Sequence, residues 1–352
     1  MRFLVTGATG FVGRAVTRRI LADGDEAHVL VRSADGASDL AEAGATVHVG
    51  SIGDPNQVAD AARGCEVVVH AAAVASFRSA VRALDWTNVA GTENVISAAR
   101  HVACTRVVYV SCADVTLCNE DRVHWNEDRA LSIRPVDAHA RSKLLSEELA
   151  LAANGTGLEV TALRPAWIWG PGDTSTLPLL CKEAGGGGLR LVGSGANLMS
   201  TTYIDNFVDA VIAAAEVEAA PGHAYYVTDS EFSDSREFFE ALSRAAGLPP
   251  PRAGMPFGLA HTVASVREWF GTDGWWPTDV LRRGRSTMFD AQNAIRDLSW
   301  EPRVTMEEGM KALSAWTEQV GGATAVAAMA RAPVGAAAVD AQVAAAGGDG
   351  AK

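Results

Sequence analysis

The sequence has no run of eighteen apolar residues and no basic leader ahead of an apolar stretch at its start. We therefore expect neither a membrane-spanning helix nor a secretory signal. Basic residues are also scarce, because 30 Lys and Arg stand against 42 Asp and Glu, which gives a net charge of −12. Nucleic-acid-binding proteins concentrate basic side chains against phosphates, so we expect no nucleic-acid partner.

Cysteine is sparse and unpatterned. The chain has five cysteines, an odd number that favours a reducing compartment, and we expect a cytoplasmic protein. Cys104 and Cys112 flank one predicted strand, so at about 3.3 Å per residue they would lie roughly 25 Å apart. That separation excludes a shared zinc ion, and we predict no metal site.

The first twenty residues carry the strongest local pattern. Residues 2–6 form an apolar run of strand formers, residues 7–13 read Gly-Ala-Thr-Gly-Phe-Val-Gly, and residues 14–21 have a helical pattern. Strand, glycine turn and helix in this order are typical of a dinucleotide-binding unit, in which the helix start faces the pyrophosphate. The predicted coenzyme contacts in this turn are Gly7, Thr9, Gly10, Phe11, Val12 and Gly13.

Strands alternate with helices up to residue 165, which predicts a Rossmann-like, doubly wound α/β sheet. Further strands are predicted at 26–31, 45–49, 66–70, 106–110 and 158–163, and helices at 85–100, 138–151, 205–216, 235–246 and 305–318. The chain is long for one core. We expect a dinucleotide-binding core at 1–165, an interleaved, smaller substrate-covering region at 166–320, and a mostly disordered Ala/Gly-rich tail at 321–352.

Two further pairs of neighbouring residues are predicted to lie near the coenzyme. Arg32 and Ser33 follow the second predicted strand, where a dinucleotide fold meets the adenosine ribose. An acidic residue there favours NAD, whereas Arg suits the 2′-phosphate of NADP, so we predict NADP with NAD as the alternative. Ala71 and Ala72 follow the fourth strand and are small enough for the backbone to pass close under the coenzyme.

The segment 256–276 is unusually rich in large apolar residues, four of which lie at 269, 270, 275 and 276. It is consistent with a lid over an apolar substrate, with ordinary core, or with an element on a membrane surface.

A set of motifs resembles the extended short-chain dehydrogenase/reductases in order and spacing. The motifs are Gly7–Gly13, His70–Ala72, Asn88–Thr92, Val108–Ser111, Arg141–Lys143, Leu163–Pro165, Gly170–Asp173 and Tyr203–Asp205. The strings at 169–173 and 200–205 are most similar to the 3β-hydroxysteroid dehydrogenase and sterol-4α-carboxylate 3-dehydrogenase branch. The resemblance spans about residues 1–318 and implies an NAD(P)-dependent oxidoreductase that interconverts a hydroxyl and a ketone on an apolar small molecule.

The resemblance also implies where catalysis occurs. In this family a Tyr four residues before a Lys exchanges a proton with the substrate oxygen, the Lys lowers the pKa of that Tyr, and a Ser after the fifth strand binds the same oxygen. Lys143 occupies the Lys position here. His139 stands in place of the Tyr, and Cys112 stands in place of the Ser.

These substitutions leave three functions open: a dehydrogenase or reductase, a dinucleotide-dependent epimerase, isomerase or lyase, and a non-catalytic NADP-binding sensor. Lys143 would disfavour the imidazolium form of His139, which makes the neutral ring more apt as a base. If His139 approaches Cys112, a Cys–His pair could form. Ser111 is a neighbouring candidate for oxyanion donor.

The remaining expected site residues follow from the same resemblance. Asn88 corresponds to the family Asn that braces the Lys. The expected substrate-site residues are Asn88, Trp167 and Tyr203, and the further coenzyme contacts are Ser51, Ile52, Lys143 and Pro165. Ser51 replaces the Asp that often contacts adenine in this family. A homodimer is an expected assembly.

Overall fold

The computed structural model describes residues 1–76, 78–129, 135–185, 187–270, 274–330 and 334–335. The strands are β1 Arg2–Thr6, β2 Glu26–Val31, β3 Thr46–Val49, β4 Val67–His70, β5 Arg106–Val110, β6 Arg122–Trp125, β7 Glu159–Pro165, β8 Trp167–Trp169, β9 Leu198–Met199, β10 Thr201–Tyr203, β11 Ala224–Val227, β12 Ser233–Asp234 and β13 Thr287–Phe289. The α-helices are α1 Phe11–Ala22, α2 Ser38–Glu42, α3 Pro55–Ala62, α4 Val81–Leu84, α5 Gly91–His101, α6 Ala138–Ala152, α7 Leu177–Ala184, α8 Ile204–Glu216, α9 Ser235–Ala245, α10 Phe257–Trp269, α11 Pro277–Gly284, α12 Gln292–Leu298, α13 Met306–Gln319 and α14 Gly322–Ala328.

Seven strands form one sheet in the order β11-β7-β5-β4-β1-β2-β3. Every neighbouring pair in it is parallel. The chain builds outward from β1 to β3 and then returns to the other side of β1 with β4, which pairs Thr6 with His70. A reversal of this kind opens a crevice at the carboxyl ends of the strands on either side. The predicted doubly wound α/β fold is confirmed.

The two faces of the sheet explain why its central strands read as continuous apolar runs. On β5, Val108 and Val110 face one core cluster, whereas Val107 and Tyr109 face the other. Successive strand residues point to opposite faces, and helices cover both. The central strands are therefore buried on both sides and hold the crevice rigid.

The C-terminal half interleaves with this sheet. β11 pairs in parallel with β7 and extends the edge of the main sheet, although the sequence pattern predicted no strand there. β8 with β10, β9 with β12, and β6 with β13 form separate two-stranded ladders. The last of these ladders joins the loop after β5 to the segment after α11, so the later part of the chain lies directly on the core.

The helix predicted at 85–100 differs in detail. It begins at Val81 as α4, passes through a π-helical turn at Asp85–Ala90 and continues as α5. A Cβ at Gly91, where α5 starts, would lie 2.6 Å from the Ile52 side chain. The absence of a side chain at Gly91 therefore lets this helix lie close to the loop after β3. π-Helical turns of this kind often mark functional sites.

The chain after residue 320 is partly ordered, contrary to the predicted disordered tail. The helix α14 packs against α7, and Val326 is fully buried in the core. The backbone oxygen of Val334 accepts a hydrogen bond from the Ala80 N–H at 3.0 Å. Residues 331–333 and 336–352, on which the rest of that prediction falls, lie outside the described part of the chain.

No helix in the described ranges is both long and apolar enough to cross a bilayer. The same ranges contain no group of three or more His, Cys, Asp or Glu residues that could hold a metal ion.

Candidate active site

The glycine turn between β1 and α1 has the geometry of a phosphate cradle. Gly7 has φ +73°, and a Cβ there would lie 2.6 Å from the backbone nitrogen of Ala72. A Cβ at Gly13 would lie 2.3 Å from the Gly7 carbonyl oxygen. Gly10 caps α1 without a side-chain hydrogen bond, so the first N–H groups of α1 are left for an anion. The turn therefore fits the diphosphate of a dinucleotide.

The end of β4 lines the same crevice. The Ala72 N–H donates to Thr6 Oγ1 at 3.3 Å, which holds residues 71–72 against the turn. His70 bridges Thr6 and Thr92 through its two ring nitrogens at 2.7 and 3.0 Å. Burial, reinforced by the charge of Lys143, lowers the pKa of His70 to about 3, so this histidine is a neutral structural link.

The residues expected near the adenosine end lie at neighbouring strand ends. Arg32 and Ser33 directly follow β2 and are exposed. Ser51 follows β3, and its hydroxyl accepts from the Gly53 N–H at 3.1 Å. The Ile52 carbonyl accepts from the Asn94 side chain at 2.9 Å, which ties this loop to α5.

Helix α6 presents the two central catalytic candidates. Asp137 caps it by accepting from the Ala140 N–H at 2.7 Å, so His139 lies in the first turn and Lys143 one turn later on the same face. Lys143 Nζ donates to the Val110 carbonyl at the end of β5 at 2.5 Å. His139 is buried, and its Nδ1 has no hydrogen-bond partner within the described ranges. An unpartnered buried polar atom at this position leaves the imidazole available for a substrate oxygen.

The electrostatics of His139 agree with the predicted neutral ring. Burial lowers its pKa to about 4, helped by the Arg282 guanidinium and less by Lys143, whereas Asp114 and Asp137 oppose this effect. The sequence argument named Lys143 alone. The main cause is burial, and the larger charge effect comes from Arg282.

The Cys–His pair considered from the sequence is not favoured. Burial, with a smaller effect of Asp114, raises the pKa of the Cys112 thiol to about 12. A thiol in this state stays protonated at neutral pH and is a poor nucleophile. Cys112 therefore offers the site a weak S–H donor in place of a hydroxyl.

Ser111 does not serve as the oxyanion donor suggested by its position. Its hydroxyl donates to Glu147 Oε2 at 2.5 Å, inside the core. Glu147 in turn forms a buried ion pair with Arg164 at 2.5 Å. The proton of Ser111 is therefore committed to a structural network that joins β5, α6 and β7.

Asn88 braces α6 through the residue before Lys143. Its side-chain nitrogen donates to Ser142 Oγ at 2.9 Å and to the Val74 carbonyl at 3.2 Å, and its oxygen accepts from the Val74 N–H. Ser142 directly precedes Lys143. The amide uses these bonds to hold α6 against the segment at Val74, so Asn88 acts as a brace, and its contact with a substrate stays a prediction.

Trp167 and Tyr203 belong to the core around β8 and β10. Tyr203 is buried against Trp169, with ring centroids 5.0 Å apart, and Trp167 packs edge-on against Phe239 at 5.7 Å. The ring of Tyr203 is thus fixed by core packing, and its contact with a substrate stays a prediction. Pro165 ends β7, where it pairs with Val227 of β11.

Arg282 is a site residue that no sequence motif predicts. This residue of α11 forms ion pairs with Asp114 at 2.7 Å and with Asp137 at 2.9 Å. No local motif surrounds it, because the contact joins residues more than 140 positions apart. The apolar segment 256–276, for which a lid, ordinary core and a membrane-surface element are the predicted roles, directly precedes α11.

The parallel sheet, the glycine turn after β1 and Lys143 on the helix before β7 together define an extended short-chain dehydrogenase/reductase. Comparison with known proteins narrows this class. A sequence profile of the 3-beta hydroxysteroid dehydrogenase/isomerase family matches residues 4–257, and the chain belongs to this family.

Two relatives match over nearly their whole length. The 4-hydroxy-2-methyl-3-oxo-4-farnesyl-3,4-dihydroquinoline-1-oxide ketoreductase of Stigmatella aurantiaca is 31% identical, covering 89% of this chain and 96% of the relative. The 2-alkyl-3-oxoalkanoate reductase of Stenotrophomonas maltophilia (strain K279a) is 33% identical, covering 90% and 99%. These names confirm the prediction of an oxidoreductase family.

Solved structures confirm the fold. MoeE5 in complex with UDP-glucose and NAD superposes with a TM-score of 0.72 at 23% identity, covering 91% of this chain and 99% of that one. DesIV, a dTDP-glucose 4,6-dehydratase from Streptomyces venezuelae, gives a TM-score of 0.73 at 24% identity, covering 91% and 97%.

Proposed function

We propose that this protein is an NADP-preferring oxidoreductase that interconverts a hydroxyl and a ketone on an apolar small molecule. The observation that carries the proposal is His139, which is buried with an unpartnered Nδ1 and lies one helical turn before Lys143, in a chain whose glycine turn after β1 fits a diphosphate. The names of the relatives support the reaction type and an apolar substrate, since one relative acts on a farnesylated quinoline oxide.

The coenzyme would be held along the carboxyl ends of β1, β2 and β4. The glycine turn would take the diphosphate, residues 71–72 would pass beneath it, and Lys143 would hold the nicotinamide ribose. Arg32 supports NADP over NAD, because it is exposed at the strand end where a 2′-phosphate would lie and no acidic residue stands there. When bound, the nicotinamide supplies or accepts the hydride.

His139 would handle the proton. Its imidazole is neutral near pH 7, so a ring nitrogen can accept the proton of a substrate hydroxyl during oxidation, and in ketone reduction it must first take a proton from solvent before it can donate one. A lowered pKa makes His139 a weaker base than a free histidine. The buried site would compensate by holding the substrate oxygen against the ring nitrogen of His139 without intervening water. Cys112 contributes a weak second donor.

The alternative function is a dinucleotide-dependent epimerase, isomerase or lyase, or a non-catalytic NADP-binding sensor. It is favoured by the replacement of both the Tyr and the Ser of the family pattern by His139 and Cys112. Each alternative keeps the coenzyme site and differs only in the fate of the substrate.

We further propose that α10 contacts a lipid surface from the cytoplasmic side. Its inner residues Ala260 and Ala264 pack in a core cluster with Val280 of α11. Its outer face carries exposed Leu259 and Val266 among polar residues and ends in Trp269 and Phe270, which are 86% and 72% exposed. Trp at the end of an apolar helix face favours a membrane interface, and water-insoluble substrates would be collected there.

Replacement of His139 tests the reaction. We would assay the wild-type protein, His139→Ala and His139→Tyr with NADPH and a panel of hydrophobic ketones, with exposed His101→Ala as the matched control. Loss of turnover in His139→Ala alone supports the proposal. If the wild-type protein is inactive and His139→Tyr gains activity, the native protein is not a conventional reductase and the alternative holds.

A further inference from the structure

Arg282 connects the two segments that carry the substituted catalytic positions. Its Nε donates to Asp114 Oδ2 at 2.7 Å, and its Nη2 donates to Asp137 Oδ2 at 2.9 Å. Asp114 lies two residues after Cys112, and Asp137 lies two residues before His139. The guanidinium therefore spans the gap between the strand-end turn and the start of α6.

The bridge that Arg282 forms between Asp114 and Asp137 is shielded from solvent. The side chains of Arg282 and Asp137 are only 14% and 11% exposed, so solvent weakens these ion pairs less than it would at the surface. Burial alone would raise the pKa of Asp114, but the Arg282 and Arg122 guanidinium groups lower it below its ordinary value. The carboxylate therefore stays ionised and the bridge stays intact near neutral pH.

We propose that Arg282 is a positioning residue, which fixes Cys112 and His139 relative to each other by bridging Asp114 and Asp137, and which counters the charge of these two carboxylates on either side of His139. This inference rests on the proposed role of His139 and adds to it a residue from the C-terminal half of the chain. Arg282 acts through its two carboxylate partners and is not itself required to touch the substrate.

The charges around His139 explain the second part of the role. The charged and titratable groups on the elements packed there are Arg282 from α11, Asp114 and Cys112 after β5, Arg122 from β6, and Asp137 and Lys143 on α6. A further ion pair, Asp85 with Arg141 at 2.6 Å, joins α6 to the π-helical turn and is partly exposed. Within this set, two carboxylates favour the imidazolium form of His139, and Arg282 offsets both.

Removal of Arg282 should therefore raise the pKa of His139. In Arg282→Gln, Asp114 and Asp137 lose their shared counter-charge, and both then stabilise a protonated His139. We expect the pKa of His139 to rise from about 4 towards its ordinary value of 6.5. In Arg282→Lys the positive charge remains, but one ammonium cannot hold two carboxylates in a fixed fork geometry. We expect this variant to keep the low pKa and to lose positioning.

The test is an NMR titration of the His139 imidazole in the full-length protein, followed by turnover across pH. The matched control is Arg283→Gln, since Arg283 is the next residue of α11 and pairs with Glu183 instead, at 2.8 Å. We expect a raised His139 pKa in Arg282→Gln only. Because positioning is lost, we also expect kcat for oxidation of a hydroxyl substrate to fall by about tenfold or more with little change in KM, and its pH profile to move with the titration.

A second variant guards against simple unfolding. Asp114→Asn removes one carboxylate, so it should shift the His139 pKa in the opposite direction, downward. The inference is wrong if the pKa of His139 is the same in Arg282→Gln as in Arg283→Gln, or if Asp114→Asn raises that pKa. This holds even if the wild-type enzyme reduces ketones. If the titrations behave as expected while no variant or wild-type protein turns over a ketone, the inference stands and the proposed reaction fails.

Discussion

Gly13 lies directly against Gly7, so that a Cβ added at residue 13 would come within 2.3 Å of the Gly7 carbonyl oxygen. Because no real Cβ approaches backbone so closely, Gly13→Ala must push α1 away from the turn. We expect a loss of NADPH affinity of about tenfold or more, measured by calorimetry, together with a lower melting temperature.

The matched control is Gly258→Ala. Gly258 is a helical glycine of α10, and nothing lies within 4 Å of its added Cβ, so Ala should be tolerated there. Unchanged NADPH affinity in Gly13→Ala would show that this turn does not hold the coenzyme.

Arg32 should determine the choice between the two coenzymes. Arg32→Ala removes the cation expected at the 2′-phosphate, so we expect NADPH affinity to fall about tenfold while NADH affinity changes little. Exposed Arg63, which pairs with Asp60 on α3, provides the control variant Arg63→Ala. Equal losses for both coenzymes, or none, would contradict the NADP preference.

Cys112→Ser should improve the site. Burial raises the pKa of the Cys112 thiol to about 12, so the native side chain is a weak, neutral donor, and a hydroxyl would form a better hydrogen bond to the substrate oxygen. We expect kcat to rise about fivefold, equivalent to about 1 kcal/mol. Cys118→Ser, on the same loop, should have no effect, and a fall in kcat at position 112 would point to a role for sulfur itself.

Stability should fall in mild acid because of His70. The folded-state pKa is about 3 against an ordinary 6.5, so between these values the unfolded chain binds a proton at residue 70 and the native protein does not. Stability is complete above pH 6.5 and declines as pH falls, with a slope of about 1.4 kcal/mol per pH unit from this group. His70→Gln should reduce the slope by that amount in urea titrations between pH 4 and 6.

An unchanged slope in His70→Gln would mean that His70 is protonated in the folded state. His139 should add to the same decline, from pH 6.5 down to about 4.

The outer face of α10 should govern binding to lipid. We expect the double variant Trp269→Ser with Phe270→Ser to lose flotation with phosphatidylcholine vesicles, because these are the most exposed large apolar residues. Phe232→Ser, at an exposed Phe outside α10, is the control. If the wild-type protein fails to float and is instead a dimer that the double variant converts to monomer, the face joins two copies of the chain.

Most of the sheet could be predicted because six of its seven strands carry a local pattern. β2 and β5 agree with their predicted bounds, since both are short β-branched runs that end at loops. β11 was missed because Ala224–Val227 is a four-residue strand that gains its partner β7 from far away in sequence. Composition predicts a disordered tail, whereas α14 packs against α7 and α13 and buries Val326.

The site was predictable only where a motif fixes the register. The spacing that relates His139 to Lys143 is a helical turn, and it placed both residues correctly on α6. The direction of the Ser111 side chain depends on Glu147, and the neutral state of His139 depends on burial and on Arg282. None of these tertiary contacts leaves a local trace in the sequence.

The hydrogen bonds of Val334 have a practical use. Its N–H donates to Ser79 Oγ at 3.0 Å, and its oxygen accepts from Ala80, so the late chain touches the loop that begins at the end of β4. A fluorophore on Gly335→Cys would therefore sit beside that loop. Its emission would report the arrival of a coenzyme in real time, in a protein whose reacting groups are all native.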